Sequence, residues 1–439
     1  MTSEELLSAR NARILLGLGL AASGALLIAW QSHLTFLIDD WDLLLARRGF
    51  NAHALLDPHA RHLIIGPALI YKAIQATVGM DSILPYAVAA IGSFLASVLL
   101  LFIYLSRRVG DWVALAAVLP VLVMGTAYQD LLSSFQICYS ASVAFGIGAL
   151  LAIEGANRRG DLVACALLVA SLAFAEIAIA FAAGVLVAIV LQRGPLRRAW
   201  IIVVPVVLYA IWYFIFEAYS KVPSSVSAHN LATSPPYVLD GFASSIASLF
   251  GLGAPLELSG TGALGWGRPL LVALVAASIW VLCRRTPTRR WILVALAVGI
   301  TFWFTTAGNF GFGRLPTASR YQYVGAVFVL LIAGEIAAGW RPGWRAILAT
   351  FAVAGAAALS NLAILHDGYR TLTGRSTVVR GGLGGLEVAA DRVNPDFVLT
   401  PANSDFFYLS QVTAGPYLSA SAKFGSPAYS QSELASAPE

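Results

Sequence analysis

The sequence predicts an all-α polytopic membrane protein. Of its 439 residues, 58% are hydrophobic and only 12% are charged, whereas a soluble protein would carry about twice that charged fraction. The mean hydropathy is +0.76, and the apolar residues form runs close to the ~20 residues that a helix needs to cross the hydrocarbon core. The net charge of +5 comes from short basic clusters between these runs. Basic clusters of this kind mark the loops on the cytoplasmic side of a membrane protein. The positive net charge is therefore no indication of a nucleic-acid partner, and none is predicted.

About eleven membrane spans are predicted. Arg10 and Arg13 precede the first run and favour a cytoplasmic N-terminus, which places the next polar segment on the external face. The run 162–191 is too long for one span and has Glu176 at its middle, so we expect two short helices that meet at Glu176 near the external face. The predicted spans are 14–37, 82–105, 112–128, 135–153, the two halves of 162–191, 201–216, 269–282, 291–304, 320–338 and 347–364.

The run 63–78 is short and contains Lys72, so it can be interpreted as a span or as an interfacial helix. The positions of the later arginines distinguish these alternatives. If the run lies in the interface, Arg107 and Arg108 fall in the cytoplasm, as the positive-inside rule requires. If it crosses, every later basic cluster is inverted. The interfacial helix is therefore predicted.

Two further segments are predicted to lie outside the hydrocarbon core. In the long external loop 217–268, the stretch 237–252 has an apolar face suited to lying on the membrane surface. Residues 366–439 lose the long apolar runs and gain Gly, Ser, Pro and charge. We therefore expect a transmembrane domain of residues 1–365 and a small external C-terminal segment, residues 366–439.

The most unusual stretch follows the first span and reads Leu-Ile-Asp-Asp-Trp-Asp at positions 37–42. An acidic residue that enters lipid costs roughly 2.5–3.5 kcal/mol on insertion scales. One acid and one interfacial Trp would suffice to mark a membrane boundary, and three acids in four positions go beyond that. Asp39 and Asp40 are therefore predicted to be catalytic. Adjacent side chains point in different directions, so only one is expected to face substrate, while the other binds a metal or braces the loop.

Two further acids fall on the same predicted face. Asp130 follows the third span. The alternative to a functional role for Asp130 is that it is a solvated residue at the end of a helix. Glu176 is flanked on both sides by apolar residues, and an acid in such a setting marks a functional site by default. A hydrogen-bonded structural role is the alternative for Glu176.

Basic residues on this face are candidates for binding phosphate. Arg314 and Arg320 are the only arginines that the topology places outside among the late spans, where charge bias alone would not put them, and Tyr321 follows directly. No metal site is predicted, because the histidines of the first loop lack zinc-ligand spacing. The remaining candidates for phosphate contact are His59, Arg61, His62 and Lys72.

Acids and arginines on one face suit a reaction between a hydroxyl nucleophile and an anionic leaving group. A carboxylate can accept the proton of the hydroxyl. Arginine can hold a departing phosphate through bidentate, charge-assisted hydrogen bonds. The pattern therefore predicts group transfer from a phosphate to a hydroxyl.

With these features the chain resembles the GT-C superfamily of integral membrane glycosyltransferases, which use polyprenyl-phosphate sugars. The resemblance rests on Asp39-Asp40-Trp41 after the first span, the interfacial helix 62–78, the helix pair at Glu176 and the late external arginines. By this resemblance the catalytic Asp maps to Asp39 or Asp40, and a second acidic residue maps to Asp130. The phosphate-binding residues map to Arg314, Arg320 and one of His59, Arg61 and Lys72.

The resemblance also implies the activity and its location. It implies a hexosyl- or pentosyltransferase of the bacterial inner membrane, with its active site on the periplasmic face. The implied partners are a polyprenyl-phosphate-sugar donor, an envelope glycan or lipid acceptor, and membrane lipids. The only cofactor considered is a divalent cation. The chain lacks the early Lys-Pro-Pro run of the aminoarabinose and protein-mannosyl branches, and the corresponding place reads Arg-His-Leu-Ile-Ile-Gly-Pro at positions 61–67. This difference leaves the acceptor class open.

Two alternatives come from other functional classes. A lipid-linked sugar flippase or transporter would line a path through the middle of the membrane with ionisable residues. A non-catalytic envelope-assembly protein would leave its outer-face acids scattered around the rim. The predicted gathering of acids and arginines at one face favours the enzyme.

Overall fold

The computed structural model describes residues 9–47, 49–192, 195–217, 228–257, 260–284, 289–308, 314–400 and 407–436. The fold is helical apart from one two-stranded antiparallel hairpin, β1 (Gly253–Glu257) and β2 (Gly260–Gly262), which confirms the predicted class. The helices of the first half are α1 (Ala9–Gln31), α2 (Asp39–Trp41), a π-turn (Asp42–Ala46), α3 (Ala52–Leu56), α4 (Ile65–Thr77), α5 (Leu84–Val109), α6 (Asp111–Val118), α7 (Tyr128–Leu131), α8 (Ile137–Ile153), α9 (Arg158–Phe174) and α10 (Ile177–Val190).

The second half continues the helical bundle. Short 3₁₀ turns occur at Val121–Val123, Gly125–Ala127, Ser134–Gln136, Pro195–Arg198 and Phe407–Leu409. The remaining helices are α11 (Trp200–Ile215), α12 (Ala228–Ala232), α13 (Ser234–Leu249), α14 (Leu264–Cys283), α15 (Arg289–Ala307), α16 (Ser319–Ile336), α17 (Trp344–Val388), α18 (Ala414–Phe424) and α19 (Gln431–Ala435).

Within the described residues, six helices are long and apolar enough to cross a membrane, and a seventh span is formed if one bent pair counts as one. The bent pair joins Asp111–Val123 to Gly125–Leu131 at 46°. The chain is therefore a multi-pass membrane protein, while the count of about eleven spans stays a prediction. Several predicted spans form helices of only 14 to 17 residues, which at 1.5 Å per residue are about 21–26 Å long and shorter than the ~30 Å core.

The pair of short helices predicted around Glu176 is present as α9 and α10, which meet at Ala175 and Glu176. Helix α4 has 13 residues and is only about 20 Å long, too short to cross the bilayer unaided. Both observations agree with the predicted short and interfacial elements of this half of the chain.

Helix α13 differs from the prediction that stretch 237–252 lies on the membrane surface. The helix is buried continuously from Gly241 to Leu249 and packs against α14, α15 and α16. The reason is side-chain size, because Gly, Ala and Ser at its contacts let neighbouring backbones approach closely. A Cβ atom built on Gly267 of α14 would lie 2.0 Å from the carbonyl oxygen of Ala243.

Helix direction separates the polar residues into two groups. Helix α1 leads to Asp39, α9 leads to Glu176, and α16 begins beside Arg320, so these three residues lie at one end of the bundle, the site end. The paired arginines lie at the opposite end, which confirms their predicted segregation; which end faces the periplasm stays a prediction. The ion pairs at the arginine end join Arg13 to Asp111, Arg107 and Arg108 to Glu154, Arg108 to Glu335, and Arg198 to Asp161.

Helix α17 is unusually long. Its 45 residues span about 68 Å, more than twice the ~30 Å hydrocarbon core. It continues past the predicted domain boundary at 365/366, so the C-terminal segment starts as an extension of the last span. Residues 407–436 then fold back along this extension, with the amide of Tyr429 donating to the carbonyl oxygen of Arg380.

Candidate active site

A cavity at the site end gathers most of the predicted residues. It is bordered by the loop after α1, the turn between α9 and α10, the N-terminal ends of α8 and α16, and the C-terminal end of α15. Predicted residues that line it are Asp39, His59, His62, Glu176, Arg314, Arg320 and Tyr321. Residues separated by almost 300 positions in the sequence thus share one pocket.

The segment 37–42, here called the acidic loop, places Asp39 in the cavity wall. Asp39 is the first member of a row of alternating charges that continues through His59, Asp42 and Arg47. Nε2 of His59 lies 3.3 Å from Oδ1 of Asp39, and Nδ1 of His59 lies 2.8 Å from Oδ2 of Asp42. The same Asp42 oxygen accepts a hydrogen bond from Nε of Arg47 at 2.9 Å. Burial opposes a charge on His59, but the hydrogen bonds with Asp39 and Asp42 outweigh it and raise the pKa of His59 to about 9. At neutral pH His59 is therefore an imidazolium.

Asp40 points away from the cavity and is buried. Its carboxylate accepts hydrogen bonds from the amide of Leu37 at 2.9 Å, the hydroxyl of Ser134 at 2.8 Å and the hydroxyl of Tyr71. Burial raises the pKa of Asp40 to about 6, against the opposing effect of these hydrogen bonds. Of the two adjacent acids, Asp39 therefore borders the cavity and Asp40 braces the loop against α4 and the turn before α8.

His59 and His62 reach the cavity through a tight turn rather than through a helix. Their backbones pair reciprocally, with N–H to O distances of 3.0 and 2.7 Å. The two residues between them, Ala60 and Arg61, have positive φ angles of 44° and 75°, which a two-residue hairpin turn of the primed type requires. Such conformations are disfavoured for residues other than glycine and cluster at functional sites. The turn brings both histidines to the cavity.

Glu176 and His62 form a second polar row that ends at Arg314. Nδ1 of His62 lies 3.0 Å from Oε2 of Glu176, and Oε1 of Glu176 accepts a hydrogen bond from the Tyr209 hydroxyl at 2.7 Å. On the other side of the imidazole, Nη1 and Nη2 of Arg314 each lie 3.4 Å from Nε2 of His62. The hydroxyl of Tyr237 donates to the Arg314 carbonyl oxygen at 2.8 Å. These contacts hold the Arg314 guanidinium at the cavity edge.

Arg320 enters the cavity from the first turn of α16. Its guanidinium carbon lies 5.6 Å from the centre of the Tyr321 ring, and it interacts electrostatically with Asp39 and Asp130. Asp130 itself is buried and does not line the cavity. Asp130 therefore lies inside the protein and not at the solvated helix end considered from sequence.

Arg61 and Lys72 point elsewhere. Nε of Arg61 lies 2.6 Å from Oε1 of Glu217, and Nζ of Lys72 donates to the backbone carbonyls of Arg47 and Gly49. Lys72 thereby closes the acidic loop onto α4. In the described part of the chain no group of three or more His, Cys, Asp or Glu side chains is arranged to hold a metal ion.

Several further residues of the cavity are not distinctive in the sequence. The polar residues among them are Gln136, Tyr139, Thr305 and Thr306, and the apolar ones include Phe135, Phe174 and Phe302. Each lies at the end of an apolar helix, where a polar or aromatic residue is ordinary for a membrane interface. Only the three-dimensional packing distinguishes them from other helix ends.

No protein-family model and no curated protein sequence matches the chain. Among solved structures, the chain is similar to ArnT from Cupriavidus metallidurans bound to undecaprenyl phosphate, with a TM-score of 0.51 at 12% identity, covering 95% of this chain and 89% of that chain. The apo state of the same ArnT gives a TM-score of 0.44 at 14% identity, covering 94% and 85%. ArnT is a GT-C glycosyltransferase, so the likeness shows that this chain has the GT-C fold.

Proposed function

We propose that the protein is a membrane glycosyltransferase that moves one sugar from a polyprenyl-phosphate donor to a hydroxyl of an envelope glycan or lipid. The observation that carries the proposal is the shared cavity, in which the Asp39 carboxylate and the Arg314 and Arg320 guanidinium groups lie together. The fold adds support, since an ArnT of the same fold has been solved with undecaprenyl phosphate bound.

Asp39 is proposed as the general base. The acceptor oxygen attacks the anomeric carbon, and its proton passes to the Asp39 carboxylate as the new C–O bond forms. His59, held by Asp42 on its far side, fixes the orientation of Asp39 without occupying its second oxygen. With 37% of its side chain exposed, Asp39 can reach an acceptor, whereas the buried Asp40 cannot.

Arg314 and Arg320 are proposed to bind the departing phosphate. As the bond between the anomeric carbon and the phosphate oxygen breaks, the electron pair leaves with the phosphate, and negative charge builds up on its oxygens. Two guanidinium groups in a partly buried cavity stabilise that charge through charge-assisted hydrogen bonds. His62 lies 3.4 Å from Arg314. In this position His62 can orient the Arg314 guanidinium toward the phosphate or contact the phosphate directly. A single displacement of this kind inverts the anomeric configuration.

The location and the division of labour follow from the proposal. We assign the chemistry to residues 1–365 in a bacterial inner membrane, with the cavity on the periplasmic side where lipid-linked sugars and envelope acceptors meet. Residues 366–439 contribute no side chain to the cavity within the described part of the chain.

The test uses purified protein in lipid nanodiscs. It is incubated with undecaprenyl phosphates that carry glucose, mannose, galactose, arabinose or xylose, together with a lipid extract from bacterial envelopes, and released undecaprenyl phosphate is measured by mass spectrometry. We expect release with one sugar and loss of release in the double variant Arg314→Gln, Arg320→Gln. No release with any sugar, or translocation of intact lipid across a vesicle membrane without bond cleavage, would contradict the proposal.

A further inference from the structure

The residue before Asp39 has an unusual backbone conformation. Ile38 has φ 43° and ψ −99°, a region that a β-branched residue enters only when its surroundings force it. Its backbone amide donates to the carbonyl oxygen of Tyr408 at 3.2 Å. The strained residue is therefore held from outside its own loop, by the C-terminal segment.

A ring contact follows three residues later. Trp41 is fully buried, and its ring meets the Tyr417 ring edge-on at a centroid distance of 6.0 Å. Tyr417 is itself fully buried, and its hydroxyl donates to Oε1 of Glu387 at 2.7 Å. Glu387 lies in the last turn of α17, so the C-terminal helix α18 is fixed between that helix and the acidic loop.

Further backbone contacts close the arrangement on both sides of the acidic loop. Before it, Arg380 of α17 donates to the carbonyl oxygen of Leu34 at 3.0 Å, and the amide of Thr35 donates to the Ser376 hydroxyl at 3.2 Å. After it, the amide of Met80 donates to the carbonyl oxygen of Phe424 at 2.7 Å. The C-terminal segment and the end of α17 thus form hydrogen bonds with the chain both before and after the acidic loop.

We infer that residues 407–424, together with the end of α17, form a positioning element for the catalytic loop, here named the C-terminal clamp. By holding Ile38 in its strained conformation, the clamp turns Asp39 toward the cavity and Asp40 toward Tyr71 and Ser134. The inference rests on the proposed function, because it gives the clamp the task of aiming the proposed base. Tyr408 and Tyr417 act through Asp39 and are positioning residues.

The test compares Tyr417→Ala with the conservative variant Tyr417→Phe, which keeps the ring that meets Trp41. Activity is measured per mole of monodisperse purified protein with the undecaprenyl-phosphate-linked sugar that supports release. We expect Tyr417→Ala to lower kcat at least tenfold while the KM for that donor changes less than twofold, and Tyr417→Phe to stay within threefold of the wild type. Hydrogen–deuterium exchange of the peptide 36–41 should be at least tenfold faster in Tyr417→Ala than in Tyr417→Phe.

A second variant distinguishes a misoriented Asp39 from a general loss of folding as the cause of the lower kcat. Glycine adopts positive φ without strain, so adding Ile38→Gly to Tyr417→Ala should recover kcat at least threefold over Tyr417→Ala alone. Equal exchange rates of the peptide 36–41 in the two Tyr417 variants would contradict the inference. Wild-type kcat in Tyr417→Ala despite fast exchange of this peptide would contradict it as well. If the wild type releases no undecaprenyl phosphate, the proposed function fails, and the exchange comparison, which needs no activity, still decides whether the clamp holds the loop.

Discussion

Nε2 of His59 lies 3.3 Å from Oδ1 of Asp39, and its other ring nitrogen faces Asp42 at 2.8 Å. An imidazole between two carboxylates gains its proton readily, and the pKa of His59 rises to about 9. The proposed base therefore has a cationic partner across the neutral range. The contact with His59 therefore orients Asp39 in this arrangement.

The first prediction concerns pH. His59 is protonated below pH 9 and loses its charge as the pH rises through that value, so its ion pairs with Asp39 and Asp42 are lost on the alkaline side. The kcat of the wild type should fall above pH 9, and His59→Gln should show a lower plateau without that alkaline decrease. Rates from pH 6 to 10 check this. The same alkaline decrease in His59→Gln would assign it to another group.

The second prediction concerns phosphate binding. Lysine keeps the charge of arginine but not its planar pair of donors, and a hydrogen bond to a charged group contributes about 1.5–3 kcal/mol. Arg314→Lys and Arg320→Lys should each lower kcat/KM for the donor by about 10- to 100-fold. Arg268→Lys is the matched control, because Arg268 is exposed and pairs with Asp240 outside the cavity. Equal losses in all three variants would contradict a specific phosphate site.

The third prediction concerns Asp40 and stability. Burial raises its pKa from 3.8 to about 6, so the folded state binds this proton more tightly than the unfolded chain. The free energy of unfolding should therefore fall by about 3 kcal/mol as the pH rises from below 4 to above 6. Asp40→Asn should remove that slope. Unfolding measured in detergent from pH 4 to 7 checks this, and parallel curves for the two proteins would contradict it.

The fourth prediction concerns Glu176. A hydrogen bond to a carboxylate is stronger than one to a neutral amide. Glu176→Gln therefore weakens the hold on Nδ1 of His62 and, through His62, on Arg314. We expect kcat/KM for the donor to fall by about tenfold or more. Tyr209→Phe removes a hydrogen bond to the other oxygen of the same carboxylate but keeps the contact between Glu176 and His62. It should therefore lower kcat/KM for the donor by less than about fivefold. A larger loss in Tyr209→Phe than in Glu176→Gln would reverse the assigned order.

Much of the fold was predictable because membrane crossing imposes a strong length and polarity signal. The paired arginines, the helix pair at Glu176 and the short α4 follow from that signal alone. The buried α13 was not predictable, since small residues on a helix suit a membrane surface and a close helix contact equally well. The continuation of α17 beyond residue 365 carries Gly, Thr and Arg, residues that resemble a loop in composition.

The candidate site was predictable by residue type but not by arrangement. Asp39, Arg314 and Arg320 stood out because each lies where charge is costly or unexpected. The division of labour between Asp39 and Asp40 depends on the φ angle of Ile38, which no local pattern encodes. The pairing of His59 and His62 in a hairpin likewise depends on two positive φ angles at Ala60 and Arg61, where sequence preference would favour Asn and Gly.

The most direct test of the account is the rate of sugar transfer measured side by side in Asp39→Asn and Asp40→Asn, in nanodiscs with the undecaprenyl-phosphate-linked donor. The two variants make the same chemical change at adjacent positions, one in the cavity wall and one buried behind it. Loss of the base should lower kcat by about 10²- to 10⁴-fold in Asp39→Asn, while Asp40→Asn retains at least a tenth of wild-type kcat. Full activity in Asp39→Asn, or the larger loss in Asp40→Asn, would contradict it.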